Sequence, residues 1–247
     1  MNPKELRLKT VEMSIEHGDA HFGGCFSEIE ILLSVFNRLK EEDRFILSKG
    51  HASYPYYVLL REKGFNPKIT LHPDKDIANG IYCTTGSLGH SLPIAVGLAL
   101  AKKIEGEKGI IYVLLGDGEC QEGTTWETLP LIKQYQLDNI VVIVDDNKIQ
   151  AINKTDDVSK MDLYELFKPF GIETFKVDGH STFKLDSVLN NKGSKIIIAE
   201  TIKGKGISFM ENNPDWHARN LTDEELKQVY KELDEEYFKK YLESPYY

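Results

Sequence analysis

The sequence predicts an α/β domain with a mostly parallel β-sheet and helices on both of its faces. Two apolar runs, residues 109–115 and 139–144, have the continuous hydrophobic character of strands that are buried on both sides. The segment between them, residues 122–135, has a helical pattern and is long enough for the crossover that two parallel strands require. Alternating helical and strand-like patterns in the rest of the chain favour the same fold class.

Each predicted element follows from its local pattern. Helical patterns predict helices over residues 3–17, 27–40, 52–63, 88–104, 122–135, 161–169, 181–191 and 223–242. Short apolar runs predict strands over residues 44–47, 110–115, 140–144, 173–177 and 196–200. The charged last helix is expected to be exposed and amphipathic. No repeat, low-complexity tract or linker divides the chain, so residues 1–247 are predicted to form a single domain.

The composition argues against several classes of protein. With 247 residues, of which 41% are hydrophobic, the chain can bury one sizeable core. Its net charge of −9 provides no basic surface for nucleic acid, and no apolar run approaches the roughly 18 residues of a membrane-spanning helix. The charged amino terminus lacks a signal-peptide pattern. Cys25, Cys83 and Cys120 are far apart and form no CxxC pair, which argues against disulfides or a zinc site and predicts a cytoplasmic protein.

Two polar motifs follow the central pair of predicted strands. The first is Gly116-Asp117-Gly118-Glu119, the second is Asp145-Asp146-Asn147, and Asp117 and Asn147 are thirty positions apart. Because open α/β sheets bind ligands beyond the carboxyl ends of their strands, both side chains can face one crevice. Oxygen ligands together with phosphate oxygens suit Mg²⁺, and the glycines let the backbone approach a phosphate closely. Two unrelated surface turns are the alternative, but the pairing, strand contexts and spacing favour a metal–diphosphate site.

Several motifs in the same order resemble the transketolase family. They are Ser48-Lys49-Gly50-His51-Ala52-Ser53, Thr84-Thr85-Gly86-Ser87-Leu88-Gly89, the stretch from Gly116 to Glu127, Lys203-Gly204-Lys205-Gly206, and Phe209-Met210-Glu211-Asn212. The resemblance covers most of residues 10–220. It implies the thiamine-diphosphate-binding fold, thiamine diphosphate as cofactor, and Mg²⁺ or, in its place, Ca²⁺ or Mn²⁺. The implied reaction is the transfer of a two-carbon ketol unit from a ketose or ketose phosphate to an aldose.

The resemblance also assigns cofactor and metal roles to matching positions. Asp117 and Asn147 would be side-chain ligands of the metal, and Ile149 would bind it through its backbone carbonyl. Residues expected to contact the cofactor are His51, Gly86, Ser87, Leu88, Gly118, Asn147 and His217.

Catalytic roles are implied for three histidines and one glutamate. His21, His72 and His217 match substrate-channel histidines of the family. Glu122 matches a glutamate that couples two active sites across a subunit interface, although an acidic residue at a helix start is also favoured by the helix dipole. His90 is expected near the cofactor loop, with a structural role equally compatible. His17 and His180 match no motif and are expected to be surface or capping residues.

Departures from the family motifs concentrate on the substrate side. The chain has Asp19-Ala20-His21-Phe22 where the family usually has Ser-Gly-His-Pro, and Ala218-Arg219 follows His217. We expect Phe22 and Arg219 to reshape the sugar pocket and thus to favour a specialised sugar over the ordinary pentose-phosphate-pathway intermediates.

The resemblance covers the diphosphate-binding domain alone. It therefore implies a partner chain with the pyrimidine-binding and C-terminal domains, assembly into a heterotetramer, and activity only in that complex. Sugars or sugar phosphates are the expected ligands, with no nucleic acid or membrane partner. Two alternatives remain open at this point. One is a subunit of another thiamine-diphosphate enzyme that acts on a 2-oxoacid, and the other is a noncatalytic cofactor-binding subunit.

Overall fold

Five parallel strands form the central sheet of the protein. In the computed structural model, which describes residues 1–18, 21–151 and 153–242, the strands are β1 (Arg44–Leu47), β2 (Ile111–Gly116), β3 (Ile140–Asp146), β6 (Glu173–Asp178) and β7 (Lys195–Glu200). Their order is β1-β2-β3-β7-β6, and every neighbouring pair is parallel. All residues of β3 are buried, as expected for a strand with helices on both faces. The structure confirms the predicted α/β fold class.

Helices cover the sheet on both faces. One face packs against α1 (Pro3–His17), α2 (Phe22–Ser27), α3 (Ile29–Phe36), α4 (Tyr54–Glu62), α9 (Thr182–Leu189) and α10 (Asp223–Leu233). The other packs against α5 (Ser91–Glu105), α6 (Gly123–Gln134) and α8 (Leu163–Phe167). Successive strand residues contribute to opposite layers, so Leu114 belongs to the first core and Val113 to the second.

Two long helices of the prediction are interrupted in the structure. The helix predicted over residues 27–40 is wrong in extent, because α2 ends at Ser27 and α3 runs only from Ile29 to Phe36. The residue between them, Glu28, is fully buried beside Lys49, a contact that local periodicity does not encode.

The helix predicted over residues 223–242 is also divided. It consists of α10 and α11 (Glu235–Leu242), and Asp234 between them has an extended backbone. The Asp234 carboxylate accepts hydrogen bonds from the backbone N–H groups of Glu236 and Tyr237, so it caps the second helix. The buried face of α10 lies in the core, whereas α11 has no buried residue.

Short elements that the sequence analysis did not predict follow β3. The strands β4 (Ile149–Gln150) and β5 (Asn153–Lys154) form an antiparallel pair, and the one-turn helix α7 (Thr155–Val158) comes directly after them. This hairpin lies at the carboxyl edge of the sheet, beside the loops that carry the predicted metal ligands. Among the described residues, no helix is long and apolar enough to cross a membrane. The three cysteines are buried and free.

Candidate functional site

A cavity of about 270 Å³ opens at the carboxyl ends of β2 and β3. Asp117 directly follows β2 and Asn147 directly follows β3, and the parallel pairing of Gly116 with Asp145 puts the two loops side by side. The predicted site residues that line the cavity are His51, Leu88, Asp117, Gly118, Glu122, Asn147, Ile149 and His217. The structure thus brings together residues from four of the sequence motifs.

Asp117 is buried and held by hydrogen bonds on both carboxylate oxygens. Its Oδ1 accepts from the N–H of Gly118 at 2.9 Å, and its Oδ2 accepts from the N–H of Lys148 at 2.7 Å and the hydroxyl of Thr155 at 3.1 Å. Burial, with repulsion from Asp145 and Asp146, raises the Asp117 pKa to about 6. A cation bound here would relieve that repulsion, so the electrostatics of the site fit a metal ion.

Asn147 and Ile149 supply the remaining oxygens of the predicted metal site. The Asn147 Nδ2 donates to Asp145 Oδ2 at 3.2 Å, while its Oδ1 accepts from the N–H of Ile149 at 3.1 Å. The Ile149 carbonyl accepts from Lys203 Nζ at 2.9 Å. One carboxylate, one amide and one carbonyl are hard oxygen donors of the kind that Mg²⁺ prefers. The described residues contain no cluster of three His, Cys, Asp or Glu side chains placed to bind a metal.

Lys203 reaches the cavity although the sequence analysis gave it no role. Besides its bond to Ile149, its ammonium group lies 3.0 Å from His217 Nδ1. Burial, with repulsion from Lys49, lowers the Lys203 pKa to about 8. At neutral pH the side chain is therefore still mostly a cation, at the wall of a cavity predicted to receive a diphosphate.

A fully buried charge cluster lies beneath the cavity and was also missed by the sequence analysis. Lys49 Nζ donates to Asp145 Oδ2 and to the Gly24 carbonyl, the latter at 3.0 Å, and lies 3.2 Å from Glu28 Oε2. Burial alone would raise the Asp145 pKa, but Lys49 and the hydroxyl groups of Ser27 and Thr201 together hold that pKa below its usual value. Asp145 also binds Asn147, so the cluster orients one predicted metal ligand.

Three histidines from distant parts of the chain lie close together, and two of them, His51 and His217, line the cavity. The ring centroids of His21 and His51 are 5.6 Å apart, those of His21 and His217 are 5.5 Å apart, and those of His51 and His217 are 5.2 Å apart. Burial and the charge of Lys49 lower the His51 pKa well below its usual value. Burial and the charge of Lys203 lower the His217 pKa to about 4. His51 and His217 are thus neutral at neutral pH, and each can accept as well as donate a hydrogen bond.

Glu119 joins three of the sequence motifs and was not predicted as a site residue. It is 2% exposed, and its Oε1 accepts from the Ser48 hydroxyl and from the N–H of Gly89 at 2.8 Å. Its Oε2 accepts from the N–H of Gly116 at 3.2 Å. In the sequence, Glu119 was marked only by its place in the Gly-Asp-Gly-Glu motif, and the metal-binding role in that motif was assigned to Asp117.

The remaining predicted residues lie at or beyond the rim of the cavity. Glu122, which lines the cavity at its exposed rim, directly precedes α6; its side chain makes no capping hydrogen bond, but its place at the helix start remains compatible with the helix-dipole alternative. His72 packs near Gly86, where an added Cβ would lie 2.9 Å from His72 Cδ2. In the part of the chain that the structure describes, His72, Gly86 and Ser87 do not line the cavity. His90 is exposed at the start of α5. The predicted roles of these residues stay predictions.

The expected position of Phe22 in the sugar pocket is wrong. Phe22 is 1% exposed, and its ring packs against Phe26 and Trp216 at centroid distances of 5.6 and 6.4 Å. Arg219 stacks over the Trp216 ring at 4.3 Å and donates to Glu225 at 2.6 Å. The aromatic ring of Phe22 therefore belongs to the core, because Trp216 offers an apolar partner beneath the cavity wall. The preceding pair, residues 19–20, lies outside the described residues.

The family of the chain follows from comparison with known proteins. Residues 36–242 match the family described as transketolase, thiamine diphosphate binding domain.

The chain belongs to the transketolase family.

This membership confirms the predicted family and the thiamine-diphosphate-binding domain.

Relatives of similar length are named as transketolase subunits. The apulose-4-phosphate transketolase subunit of Actinobacillus succinogenes is 37% identical over 94% of this chain and 95% of the relative. The 6-deoxy-6-sulfo-D-fructose transketolase subunit SqwG of Clostridium sp. is 33% identical over 94% of each protein. Human transketolase is 30% identical over 97% of this chain but only 43% of its own length. The predicted enzyme class, a transketolase-like transferase, is confirmed.

Solved transketolase structures have the same fold. Transketolase from Campylobacter jejuni superposes with a TM-score of 0.82 at 27% identity, covering 94% of this chain and 42% of that chain. Transketolase from Leishmania mexicana has a TM-score of 0.85 at 22% identity, covering 94% and 41% of the two chains. Because both superpositions cover 94% of this chain, they support the confirmed α/β fold class for the sheet and its helices together.

Proposed function

We propose that this chain is the N-terminal, diphosphate-binding subunit of a split transketolase that acts on a specialised, anionic sugar. The observation that carries the proposal is the convergence of Asp117, Asn147 and the Ile149 carbonyl with a histidine cluster around one cavity. The near-complete alignment with two named transketolase subunits supports the same conclusion.

Asp117, Asn147 and Ile149 would hold a divalent metal, Mg²⁺ or in its place Ca²⁺ or Mn²⁺. The donor set supplies three oxygens, and Asp117 lies in a buried, acidic environment that a cation would stabilise. The other positions in the metal coordination sphere would be taken by the diphosphate. Gly118 would contact that diphosphate through its backbone, and Lys203 would supply a neighbouring positive charge.

Thiamine diphosphate, when bound, would supply a nucleophilic carbon for addition to a ketose carbonyl and an electron sink for carbon–carbon cleavage. The chain would orient the sugar and exchange protons with its hydroxyl groups. His51 and His217 are neutral and lie together in the cavity, and His21 contacts both rings, which suits hydrogen bonding to hydroxyls. His72 would contribute from the neighbouring loop.

The substrate would be a specialised sugar with an anionic group. The names of two relatives specify apulose-4-phosphate and 6-deoxy-6-sulfo-D-fructose, both of which carry such a group. Arg219, which follows the cavity residue His217 by two positions and stacks over Trp216, would contribute a positive charge to this preference.

The partner would be a chain with the pyrimidine-binding and C-terminal domains, assembled with this one as a heterotetramer. Three apolar side chains near the cavity and on the flanking helices α5 and α6 are substantially exposed: Leu88 at 37%, Ile94 at 40% and Leu131 at 41%. Glu122 is exposed in the same region. Such a surface is suited to burial against another protein. A cytoplasmic location remains a prediction from the cysteine content.

The test is ketol transfer by this chain coexpressed with a pyrimidine-domain subunit encoded beside it. Thiamine diphosphate and Mg²⁺ are titrated, and apulose 4-phosphate, 6-deoxy-6-sulfofructose and xylulose 5-phosphate are compared as donors. Asp117→Ala is expected to abolish cofactor binding and transfer. Asp138→Ala is the matched control, because Asp138 is exposed at the opposite end of β3.

Four results would contradict the proposal in different ways. If Asp117→Ala binds the cofactor as tightly as wild type, the assignment of Asp117 as a metal ligand is wrong. Transfer by this chain alone would contradict the need for a partner, and a preference for xylulose 5-phosphate would contradict a specialised substrate. Cofactor binding without any transfer in the complex would favour the noncatalytic alternative.

A further inference from the structure

His180 lies on the loop after β6 and contacts two other segments of the chain. Its Nδ1 is 2.9 Å from Glu30 Oε2 on α3, and its Nε2 is 2.8 Å from the backbone nitrogen of Ile202 on the loop after β7. Only 15% of its side chain is exposed. The expectation of a surface or capping histidine is therefore wrong, because the partners of His180 are 150 and 22 positions away.

The two contacts of His180 define where its proton lies. A backbone N–H can only donate, so Nε2 must accept from Ile202 and carries no proton. Nδ1 carries the proton and donates it to the Glu30 carboxylate. The carboxylate is itself fixed by Arg7, whose two terminal nitrogens lie 2.9 and 3.1 Å from its oxygens. The Arg7–Glu30 pair thereby selects the tautomer of His180 that can hold the loop.

The same loop is fastened at a second point by Arg7. Arg7 Nε donates to the Lys205 carbonyl at 2.8 Å, so the loop is held at Ile202 and again at Lys205. Gly179 makes the close approach of the two loops possible, since a Cβ there would lie 2.5 Å from Thr201 Cγ2. Backbone attachment on both sides of Lys203 leaves little freedom for the position of this residue.

The attachments at Ile202 and Lys205 position Lys203 at the cavity. Its Nζ lies 2.9 Å from the Ile149 carbonyl, the proposed backbone ligand of the metal, and 3.0 Å from His217 Nδ1. A displacement of residues 202–205 would move this ammonium group relative to both partners. The contacts of His180 are therefore linked to the cofactor site through a single backbone segment.

We propose that His180 is a positioning residue, which uses the Arg7–Glu30 pair to hold the 202–205 loop and so places Lys203 against the cofactor site. The inference rests on the proposed function in assigning the cavity to thiamine diphosphate and a metal. The mechanical part, attachment of the Ile202 amide by Nε2, does not depend on that assignment.

Two substitutions separate the two hydrogen bonds of the ring. His180→Asn has polar atoms only at the position of Nδ1, so it can still donate to Glu30 but cannot reach the Ile202 amide. His180→Gln has an oxygen at the position of Nε2, so it can accept from Ile202. Both variants are made in the coexpressed complex. The first readout is hydrogen exchange at the Ile202 amide, and the second is the affinity for thiamine diphosphate at fixed Mg²⁺.

In His180→Asn we expect the Ile202 amide to exchange about fivefold faster, the factor for loss of one hydrogen bond, while the amides of β7 stay unchanged. Cofactor affinity should fall about tenfold, as for substitution of an outer-sphere residue of a metal site. His180→Gln should restore both quantities to within about twofold of wild type.

Unchanged Ile202 exchange in His180→Asn, or equally faster exchange throughout β7, would overturn the inference. So would cofactor binding that is equal in wild type, His180→Asn and His180→Gln. A wild-type complex that binds no thiamine diphosphate would instead refute the proposed function, while the exchange comparison would still test His180. If His180→Asn does not fold, nitrogen NMR of the wild-type ring decides: a proton on Nδ1 supports the inference, and a proton on Nε2 overturns it.

Discussion

Replacement of Lys49 by methionine tests the buried charge cluster beneath the cavity. The side chains of Lys49 and Asp145 are at most 1% exposed, so the substitution leaves a carboxylate buried without its cation. Breaking a buried ion pair in this way costs about 3–5 kcal/mol of the free energy of unfolding. Asp145 would keep hydrogen bonds from Ser27, Asn147 and Thr201, so we expect a value near the lower end, about 3 kcal/mol.

Lys203→Met is the matched control, because it makes the same change at another buried lysine of the site. Burial, with repulsion from Lys49, lowers the Lys203 pKa from an ordinary 10.5 to about 8, which corresponds to a cost of about 3 kcal/mol for its charge at neutral pH. Its hydrogen-bond partners in the cavity, the Ile149 carbonyl and His217, are uncharged groups. Removal of this amine should therefore leave the stability unchanged or raise it, although cofactor binding should suffer.

The effect of Lys49→Met should depend on pH with a definite sign. Burial raises the Glu28 pKa to about 8, so Asp145 bears most of the negative charge of the cluster at neutral pH. Without Lys49, burial would raise the folded-state pKa of Asp145 above its unfolded value of about 4. The unfolded state then binds fewer protons than the folded state above that pH, so the variant loses stability as pH rises.

Urea denaturation followed by circular dichroism at pH 5 and pH 8 measures both effects. We expect the loss in Lys49→Met to be larger at pH 8 than at pH 5. A loss below about 1 kcal/mol at pH 8, or equal losses in the two lysine variants, would refute the proposed difference between a paired and an unpaired buried cation.

Three further predictions follow from the site and its supporting core. The pKa of His217 is near 4, against an ordinary 6.5, so the unfolded state binds more protons than the folded state between these pH values. The free energy of unfolding should therefore fall as pH falls from about 6.5 to about 4. In denaturation curves, His217→Gln should show a weaker dependence on pH in this range. Gly118→Ala would put a Cβ 2.8 Å from Gln150 Cβ and should weaken thiamine diphosphate binding in a titration. The control is Gly97→Ala on α5, where an added Cβ meets open space. This variant should bind the cofactor as wild type does and be about 1 kcal/mol more stable. Phe22→Ala should cost about 3–5 kcal/mol of stability in urea without changing the order of donor preference in a kinetic assay, because Phe22 is a core residue; a changed order would contradict its placement.

The parts of the fold that depend on local pattern were predicted well. The predicted strand over residues 140–144 lies within β3, and the helix predicted over residues 122–135 corresponds to α6 within one residue at each end. The interruptions at Glu28 and Asp234 were not predicted. The break at Glu28 depends on the contact of its buried carboxyl group with Lys49, and Asp234 lies in a charged stretch whose periodicity continues through it.

The candidate site was likewise predicted only in part. Asp117 and Asn147 were predicted to face one crevice because both follow buried parallel strands, and the structure puts both at one cavity. Lys203 and Glu119 were missed as site residues because their partners are elsewhere in the chain. Phe22 was misplaced because its neighbour in the core, Trp216, is nearly two hundred positions away in sequence.

By itself, the sequence determined the α/β class, the alternation of strands and helices, and the position of the two polar motifs after the central strands. These properties depend on residue types within a few positions of each other and on the geometry common to all parallel sheets. Only the tertiary structure decided which buried charges are paired, that the imidazole of His180 holds the backbone next to Lys203, and that Phe22 lies in the core. Those outcomes depend on contacts between side chains from distant segments, whose distances exist only once the chain has folded.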